Sequence, residues 1–472
     1  MSTATPGHMY TRLAEAVASK GGARSVHGPE NTLSRRGLLI RADKRARELQ
    51  GLGIGRGDPV ALSLGNVAEL PIMLLACSKL GAVAVPIDAA HGERLVKDTA
   101  SRLPLRAVVR RPRGQEAPTP DYGDDYGFHA RRRLSSSLLA IDVLEPPAAL
   151  REATTLPEGA ELVMEARGIG GVVRDVVRTG TELAAVGEAA AAALQLHAGA
   201  RLLCAQPLIV PRFFDPVILG WLASEAQLVM AEGPAADAVL PLSSHHEELV
   251  VVDSVRQLLE LSRALKARGT TLGLTPVIPQ ASVPLGTGRA LQATLTQPAR
   301  QLLLLEEIGV LAHRVLQRGA AFEPAPGVEL RPGAAMESGG HEVLVSTPQA
   351  AACRPPIPRT EPGAIADAPW RHTGYAGRFG KDERLIEVLG RDDGLVNLEG
   401  RRACLDDVEE RMLEHPRLTW VRAHVEVDAD GDPSLWLEYR ATGQSTLDDL
   451  EEHAIGQLPP FMVPRRFERC DD

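Results

Sequence analysis

A unit of helix, glycine turn and strand occurs twice near the start of the sequence and fixes the fold class. Within residues 33–49 apolar side chains recur with a helical period, at Leu38, Ala42, Ala46 and Leu49 among others. Glycines and Asp58-Pro59 follow, and residues 60–64 form an apolar run typical of a buried strand. The unit repeats as a helix at 69–79 and a strand at 82–85. This alternation predicts an α/β fold with a parallel sheet covered by helices.

A second helix-flanked sheet is predicted further along the chain. Residues 110–137 are rich in Pro, Gly and Arg without a sustained period, which predicts a long surface excursion. The apolar runs that follow predict strands at 162–164, 201–205, 228–230 and 249–252 and an Ala-rich helix at 182–196.

The last third of the chain changes character. Residues 327–347 are short runs broken by Gly and Pro, which suit a small β-barrel or sheet. Beyond Trp370 the chain is more charged, with a helix predicted near 405–414. We therefore expect two domains, a large one at 1–390 and a small α+β one at 391–472.

Composition excludes several classes of protein. A chain of 472 residues exceeds the roughly 250–300 residues that one core supports, and 44% hydrophobic with 24% charged residues indicates a folded protein. The formal charge of −9 provides no basic field for nucleic acid. Five scattered cysteines without a Cys-x-x-Cys pair suit reduced thiols. Because no apolar run approaches about 18 residues, we expect a cytoplasmic protein without a membrane partner.

Four segments identify a family resemblance. They read KLGAVAVP at 79–86, WRHTGYAGR at 370–378, GRDDGLVNLEGRR at 390–402 and LPPFMVP at 458–464. In order and spacing they resemble the acyl-adenylate-forming ligase superfamily, which includes acyl-CoA synthetases, nonribosomal-peptide adenylation domains and luciferase-like enzymes. The resemblance covers nearly the whole chain. It implies a large domain of two helix-flanked sheets plus a small β-barrel, and a small mobile C-terminal domain that rotates between adenylating and thioester-forming poses.

The segment that matches the family's phosphate loop is altered. Family members bind ATP phosphates with glycines, Ser and Thr hydroxyls and a Lys. Here Gly168, Gly170 and Gly171 are kept, every hydroxyl is lost and the Lys is Arg174. The resemblance predicts a weakened phosphate loop, and the alternative is an inherited turn without a phosphate role.

The family's ribose-binding Thr-Gly-Asp is Thr373, Gly374 and Tyr375 in this chain. A tyrosine donates one hydrogen bond but lacks the two anionic acceptors that a ribose diol prefers. Arg391 matches a second ribose contact and a catalytic position, although it could also be a lone surface arginine. We therefore expect weakened ATP binding.

The family's metal-binding motif matches residues 303–307. Leu303 replaces the aromatic residue near adenine, and Glu307 matches the magnesium ligand, which makes it a predicted catalytic and metal-binding residue. The alternative is a solvated glutamate at a helix start.

Three residues are predicted to contact the acyl substrate. Val210 replaces the family's usual His after Pro-Leu-x. Phe214 and Asp215 resemble the dipeptide that anchors an α-amino group in peptide synthetases, and the alternative for Asp215 is a helix-start role.

The residues that match the family's thioester-forming machinery are better kept than those that match its ATP site. Asp393 matches the hinge of the domain rotation and Gly400 the loop that approaches the thiol, while an intervening Lys is Asn397. The sequence given ends at Asp472, where family members continue to a catalytic Gly-Lys, so we expect a truncated C-terminal domain. The cofactors implied are ATP or AMP with Mg²⁺ at a weakened site, and the phosphopantetheine thiol of CoA or a carrier protein.

Three functions remain open at this point. The first is transfer of an acyl or aminoacyl group, already activated as a CoA or carrier-protein thioester, to a nucleophile in bacterial biosynthesis. The second is an ATP-dependent acyl or amino acid ligase in which Arg174 replaces the loop Lys. The third is a non-catalytic partner of another enzyme.

Overall fold

A computed structural model gives the structure of most of the chain. It describes residues 6–20, 24–28, 32–89, 92–111, 126–133, 139–167, 173–233, 235–239, 248–269, 273–281, 283, 289, 291, 295, 297–317, 319–336, 340–354, 364–367, 369–391, 395–398, 401–413, 415, 417–427, 433–441 and 447–470. Within these residues no helix is both long enough and apolar enough to span a membrane.

Helices and strands alternate along most of the chain. The helices are α1 (His8–Lys20), α2 (Arg35–Gly51), α3 (Glu69–Leu80), α4 (Gly92–Arg102), α5 (Ala148–Ala153), α6 (Gly180–Leu194), α7 (Pro211–Phe214), a π-helix (Asp215–Leu219), α8 (Gly220–Ala223), α9 (Ala235–Val239), α10 (Val255–Ala267), α11 (Leu405–Leu413), a 3₁₀ turn (Pro460–Met462) and, before that turn, α12 (Leu447–Gln457). The strands are β1 (Arg24–His27), β2 (Thr32–Ser34), β3 (Pro59–Ser63), β4 (Val83–Pro86), β5 (Ala107–Arg110), β6 (Gly127–Arg133), β7 (Ala140–Glu145), β8 (Ala160–Arg167), β9 (Val173–Thr179), β10 (Ala200–Cys204), β11 (Gln227–Met230), β12 (Glu248–Val252), β13 (Leu274–Ile278), β14 (Arg300–Leu305), β15 (Gly309–Val315), β16 (Glu323–Pro324), β17 (Glu329–Ala335), β18 (His341–Ser346), β19 (Ala352–Arg354), β20 (Ile365–Asp367), β21 (Trp370–Phe379), β22 (Leu385–Arg391), β23 (Leu395–Leu398), β24 (Arg401–Cys404), β25 (Leu418–Val427), β26 (Pro433–Ala441) and β27 (Arg466–Arg469).

The larger of the two main sheets has nine strands in the order β16-β15-β14-β13-β12-β10-β11-β1-β2. The strands from β14 to β1 in this order are parallel, and β10 is buried along its whole length. The chain leaves β10 toward β11 on one side and reaches β12 on the other. In open α/β sheets, ligands bind beyond the carboxyl ends of the strands at such a switch point.

The second main sheet has eight strands in the order β19-β9-β8-β4-β3-β5-β7-β6. It corrects one expectation, because part of the predicted excursion at 110–137 is the edge strand β6, paired antiparallel to β7. The sequence of β6 reads GFHARRR and lacks alternating apolar residues. An edge strand has one neighbour only and tolerates this charge, which hides the strand from periodicity.

The remaining strands form a barrel-like sheet and a C-terminal α+β unit. The five-stranded sheet contains β17, β18, β20, β21 and β22. In the C-terminal unit, α11 and α12 share a separate apolar core with the sheet β25-β26-β27. The predicted fold class, two helix-flanked sheets, a small barrel and a small α+β domain, is confirmed. The boundary after residue 390 stays a prediction, and it falls at the end of β22.

Gly187 permits a close approach between α6 and the π-helix. A Cβ at this position of α6 would lie 2.9 Å from the carbonyl oxygen of Leu219 in the π-helix. We expect Gly187→Ala to lower the free energy of unfolding by about 1–3 kcal/mol despite the better helix propensity of alanine. Gly456→Ala in α12 is the matched control, since no atom lies within 4 Å of its Cβ, and it should gain about 0.5–1 kcal/mol. Urea titrations that show both variants equally stabilised would contradict this packing.

Candidate functional site

Four charged side chains are buried together where β14 ends, between the two main sheets. We name Arg178, Arg212, Asp215 and Glu306 the buried charge cluster, and none of them is more than 2% exposed. Arg178 comes from β9 of the eight-stranded sheet, and Glu306 directly follows β14 of the nine-stranded sheet. Because buried charges are costly unless paired, the contacts within the cluster decide what it can do.

Asp215 forms a bidentate ion pair with Arg178. Nη1 of Arg178 donates to Oδ1 of Asp215, and Nη2 donates to Oδ2 at 2.7 Å. Burial raises the pKa of Asp215, and the Arg178 guanidinium opposes that rise. Both carboxylate oxygens of the predicted amine anchor therefore accept from an arginine. Asp215 is also the first residue of the π-helix, as the helix-start alternative expects, and its carboxylate binds Arg178.

Arg212 connects the cluster to the C-terminal part of the chain. Its Nη2 lies 3.5 Å from Oε1 of Glu306, and its Nη1 donates to Oδ1 of Asn397 on β23. Strand β23 pairs with β24, and β24 lies against β8 of the large domain. The hairpin β23–β24 is thus docked beside the charge cluster.

Glu307 lies in the turn between β14 and β15 and is 2% exposed. The alternative of a solvated helix-start glutamate is wrong, because two buried strands flank the residue. Burial raises the pKa of the neighbouring Cys353 thiol to about 12, with Glu307 adding to the rise and Arg174 and Arg178 opposing it. Cys353 is therefore a neutral thiol rather than a thiolate nucleophile.

Of the residues predicted to bind phosphate or to approach the thiol, the structure describes only some. Arg174 pairs with Ala166 across the β8–β9 ladder, and its side chain is 2% exposed. Among the described residues, no three His, Cys, Asp or Glu side chains are grouped to hold a metal ion. Five predicted site residues lie outside the described residues: Gly168, Gly170, Gly171, Asp393 and Gly400.

Thr373 and Tyr375 direct their hydroxyls into the protein. Thr373 Oγ1 donates to the Val343 carbonyl oxygen at 2.6 Å and accepts from the Tyr375 N–H at 3.1 Å. Tyr375 is 3% exposed, and its hydroxyl donates to the carbonyl oxygen of Leu304 in β14 at 3.5 Å. The backbone of Tyr375 pairs with that of Arg391, the other predicted ribose contact. The side chain in the ribose-binding position fills the core.

The predicted acyl-pocket residues and Leu303 are largely apolar core positions. Phe214 and Leu303 are fully buried in the main apolar core, and Val210 precedes α7 and packs against that core. Val210, Phe214 and Asp215 lie at or next to α7 and the π-helix that follows it, and their role in acyl binding stays a prediction.

Sequence reasoning missed Asp253, which lies at the switch point. This fully buried residue follows β12 and accepts from Nε2 of Gln206 at 2.8 Å and from the N–H groups of Ser254 and Ala205 at 2.7 and 3.2 Å. It thereby joins the loops after β10 and β12. An acidic residue directly after an apolar run of a predicted parallel sheet was the available signal.

Asp253 predicts a pH dependence of stability. Burial raises its pKa from 3.8 to about 6, so the folded protein binds this proton more tightly than the unfolded chain. Its contribution is fully present below pH 4 and is lost as the pH rises through 6, amounting to about 3 kcal/mol. The stability advantage of the wild type over Asp253→Asn should therefore shrink by that amount between pH 4 and pH 7. The stabilities are measured by guanidinium titration at each pH. If the wild type and Asp253→Asn changed in parallel between pH 4 and pH 7, the pKa of Asp253 would not be raised in the folded protein, contrary to this expectation.

Comparisons with known proteins agree with this geometry. The family model described as AMP-binding enzyme matches residues 13–134. Over 99% of its length the chain is 27% identical to Novobiocin biosynthesis protein H of Streptomyces niveus, and it spans 80% of that protein. The chain is therefore similar, over nearly its whole length, to proteins of the acyl-adenylate-forming ligase superfamily. It is also 26% identical, over 95% of its length, to a segment that makes up 7% of Tyrocidine synthase 3 from Brevibacillus parabrevis.

Solved structures of adenylate-forming enzymes share the fold. The amide bond synthetase McbA from Marinactinospora thermotolerans superposes with a TM-score of 0.74 and 17% identity, covering 99% of this chain and 96% of that one. Enzymes of the superfamily use ATP or AMP with Mg²⁺. The described residues fit a nucleotide poorly, because Tyr375 and Leu303, which match the family's ribose and adenine positions in sequence, are core side chains.

Proposed function

We propose that this adenylate-forming protein handles an acyl or aminoacyl group that arrives already activated as a CoA or carrier-protein thioester, and transfers it to a nucleophile. The observation that carries the proposal is the burial of Tyr375, whose hydroxyl donates to the Leu304 carbonyl oxygen. A ribose diol at this position would have to displace a packed aromatic ring and would meet no carboxylate. The adenylating step is therefore the half of the family's chemistry that this chain has weakened.

The docked hairpin β23–β24 supports the thioester half. Asn397 in this hairpin accepts from Arg212, which also faces Glu306. Residues 391–472 then act as the lid domain, and Asp393 and Gly400 keep the hinge and thiol-loop roles that the resemblance implies. In such a transfer the nucleophile adds to the thioester carbonyl, the C–S bond breaks and the thiolate leaves with a proton from the nucleophile. Arg212 is the cation we place nearest to the charge that develops on oxygen.

The relatives' names support a biosynthetic setting, and peptide synthetase relatives support a carrier protein as partner. We place the protein in the cytoplasm, in agreement with the free cysteines Cys77, Cys204, Cys353 and Cys470. The acyl group in the thioester is that of a small-molecule acid. We also propose that Glu307 would bind magnesium and that Arg391 would be catalytic, if the weakened nucleotide site is used.

A thiol-release assay without ATP tests the proposal. The protein is incubated with CoA and N-acetylcysteamine thioesters of a panel of acids plus amine acceptors, and free thiol and amide product are measured. We expect ATP-independent transfer that falls by roughly 10²-fold in Arg212→Met. Arg466→Met, an arginine on β27 that is 47% exposed, is the matched control and should keep full activity.

The second candidate is an ATP-dependent acyl or amino acid ligase. The match of residues 13–134 to the family described as AMP-binding enzyme favours it, with Arg174 as the loop cation. Pyrophosphate exchange with any acid of the panel, together with no thiol release from thioesters, would establish the ligase and reject our proposal. Silence in both assays would support a non-catalytic partner instead.

A further inference from the structure

We infer that the acyl site excludes substrates with a free α-amino group and takes acyl groups without one, because the ion pair of Arg178 with Asp215 occupies the carboxylate that an amine would need. This inference rests on the proposed function, in that it concerns the acyl side of the same site. It makes Arg178 a specificity-determining residue.

The carboxylate of Asp215 is occupied on both oxygens. Each terminal nitrogen of Arg178 donates to a different oxygen, and the two side chains are 1% and 0% exposed. Nη2 of Arg178 also donates to the backbone carbonyl oxygen of Glu306 at 3.3 Å. A guanidinium held at three acceptors is fixed in position, so a ligand ammonium cannot take its place by a simple rotamer change.

Charge opposes an ammonium at this position as well. A substrate amine within hydrogen-bond reach of Asp215 would lie beside the Arg178 cation in a site closed to water, where like charges are poorly screened. Glu306, the second carboxylate whose charge reaches Asp215, faces Arg212 at 3.5 Å. The two cations and two anions of the charge cluster balance, so an added ammonium would give these four side chains and the ligand a net positive charge. A neutral acyl chain adds no charge and avoids this cost.

Matched ligand pairs test the inference. Each pair differs only in the α-amino group: L-tyrosine with 3-(4-hydroxyphenyl)propanoate, L-phenylalanine with 3-phenylpropanoate and L-leucine with 4-methylpentanoate. Both the free acids and their N-acetylcysteamine thioesters are titrated into the full chain, and binding is followed by calorimetry and ligand-observed NMR. The desamino member of a pair should bind at least roughly tenfold more tightly than the amino member.

Two variants separate selectivity from folding. Arg178→Met frees the carboxylate and should invert the preference, with the amino member gaining roughly tenfold or more. The double variant with Asp215→Leu removes both charges, folds without an unpaired carboxylate and should show no such gain. Equal or tighter binding of amino members by the wild type, or an unchanged preference in Arg178→Met, would overturn the inference. So would failure of every pair to bind. If free acids bind with the expected selectivity but turn over only with ATP, the thioester proposal fails while the inference stands.

Discussion

Arg178→Met should lower the free energy of unfolding by about 3–5 kcal/mol, because it leaves the Asp215 carboxylate uncompensated in the interior. The methionine keeps an unbranched apolar side chain at this position but makes neither of the two hydrogen bonds to the carboxylate. Guanidinium titrations followed by far-ultraviolet circular dichroism measure the change.

Adding Asp215→Leu to the same chain should restore stability to within about 1–2 kcal/mol of the wild type, since a buried ion pair is often replaceable by packed apolar residues. Arg12→Met is the surface control. Arg12 and its partner Glu15 are 43% and 63% exposed at 3.7 Å, so their loss should cost less than about 0.5 kcal/mol. A double variant as unstable as Arg178→Met would mean that the pair is not the source of the loss.

Tyr375→Asp should also destabilise the protein strongly and should not create a nucleotide site. It places a carboxylate where a ring now packs, and we expect a loss of roughly 3–5 kcal/mol from the cavity and the buried charge. The variant restores the residue type of the family's ribose contact, so its binding of Mg²⁺-ATP can be measured beside its stability.

The control for this position is Tyr375→Phe, which keeps the ring and removes the hydroxyl with its long hydrogen bond to Leu304. We expect it to cost about 1 kcal/mol or less. If Tyr375→Asp were as stable as Tyr375→Phe and bound ATP, the side chain would have to reach the ligand surface, contrary to its burial.

The fold was readable from the sequence where strands are buried on both faces. Strands β3, β10 and β12 are continuous apolar runs, and the helices α2 and α6 are amphipathic or Ala-rich segments flanked by turn residues. These signals are local, so they survive without knowledge of partners. The edge strand β6 was missed because its charges are compatible with a strand that has one neighbour.

The site was readable only in part. Spacing and residue type predicted Phe214, Asp215, Glu307 and Tyr375 as site residues, and the structure buries all four of them. Arg178, the partner of Asp215, is 37 residues away in strand β9, and no periodicity links two such positions. For the same reason, the burial of Glu307 and the hydrogen bonds of Asp253 became visible only when β12, β14 and their neighbours were assembled.

The central claim is that the nucleotide half of this site is weakened. Isothermal titration of the full chain with Mg²⁺-ATP tests it most directly. We expect no saturable binding up to about 1 mM ATP, with or without magnesium, corresponding to a binding free energy weaker than about −4 kcal/mol. Tight, magnesium-dependent binding with a Kd of about 10 μM or below would contradict it.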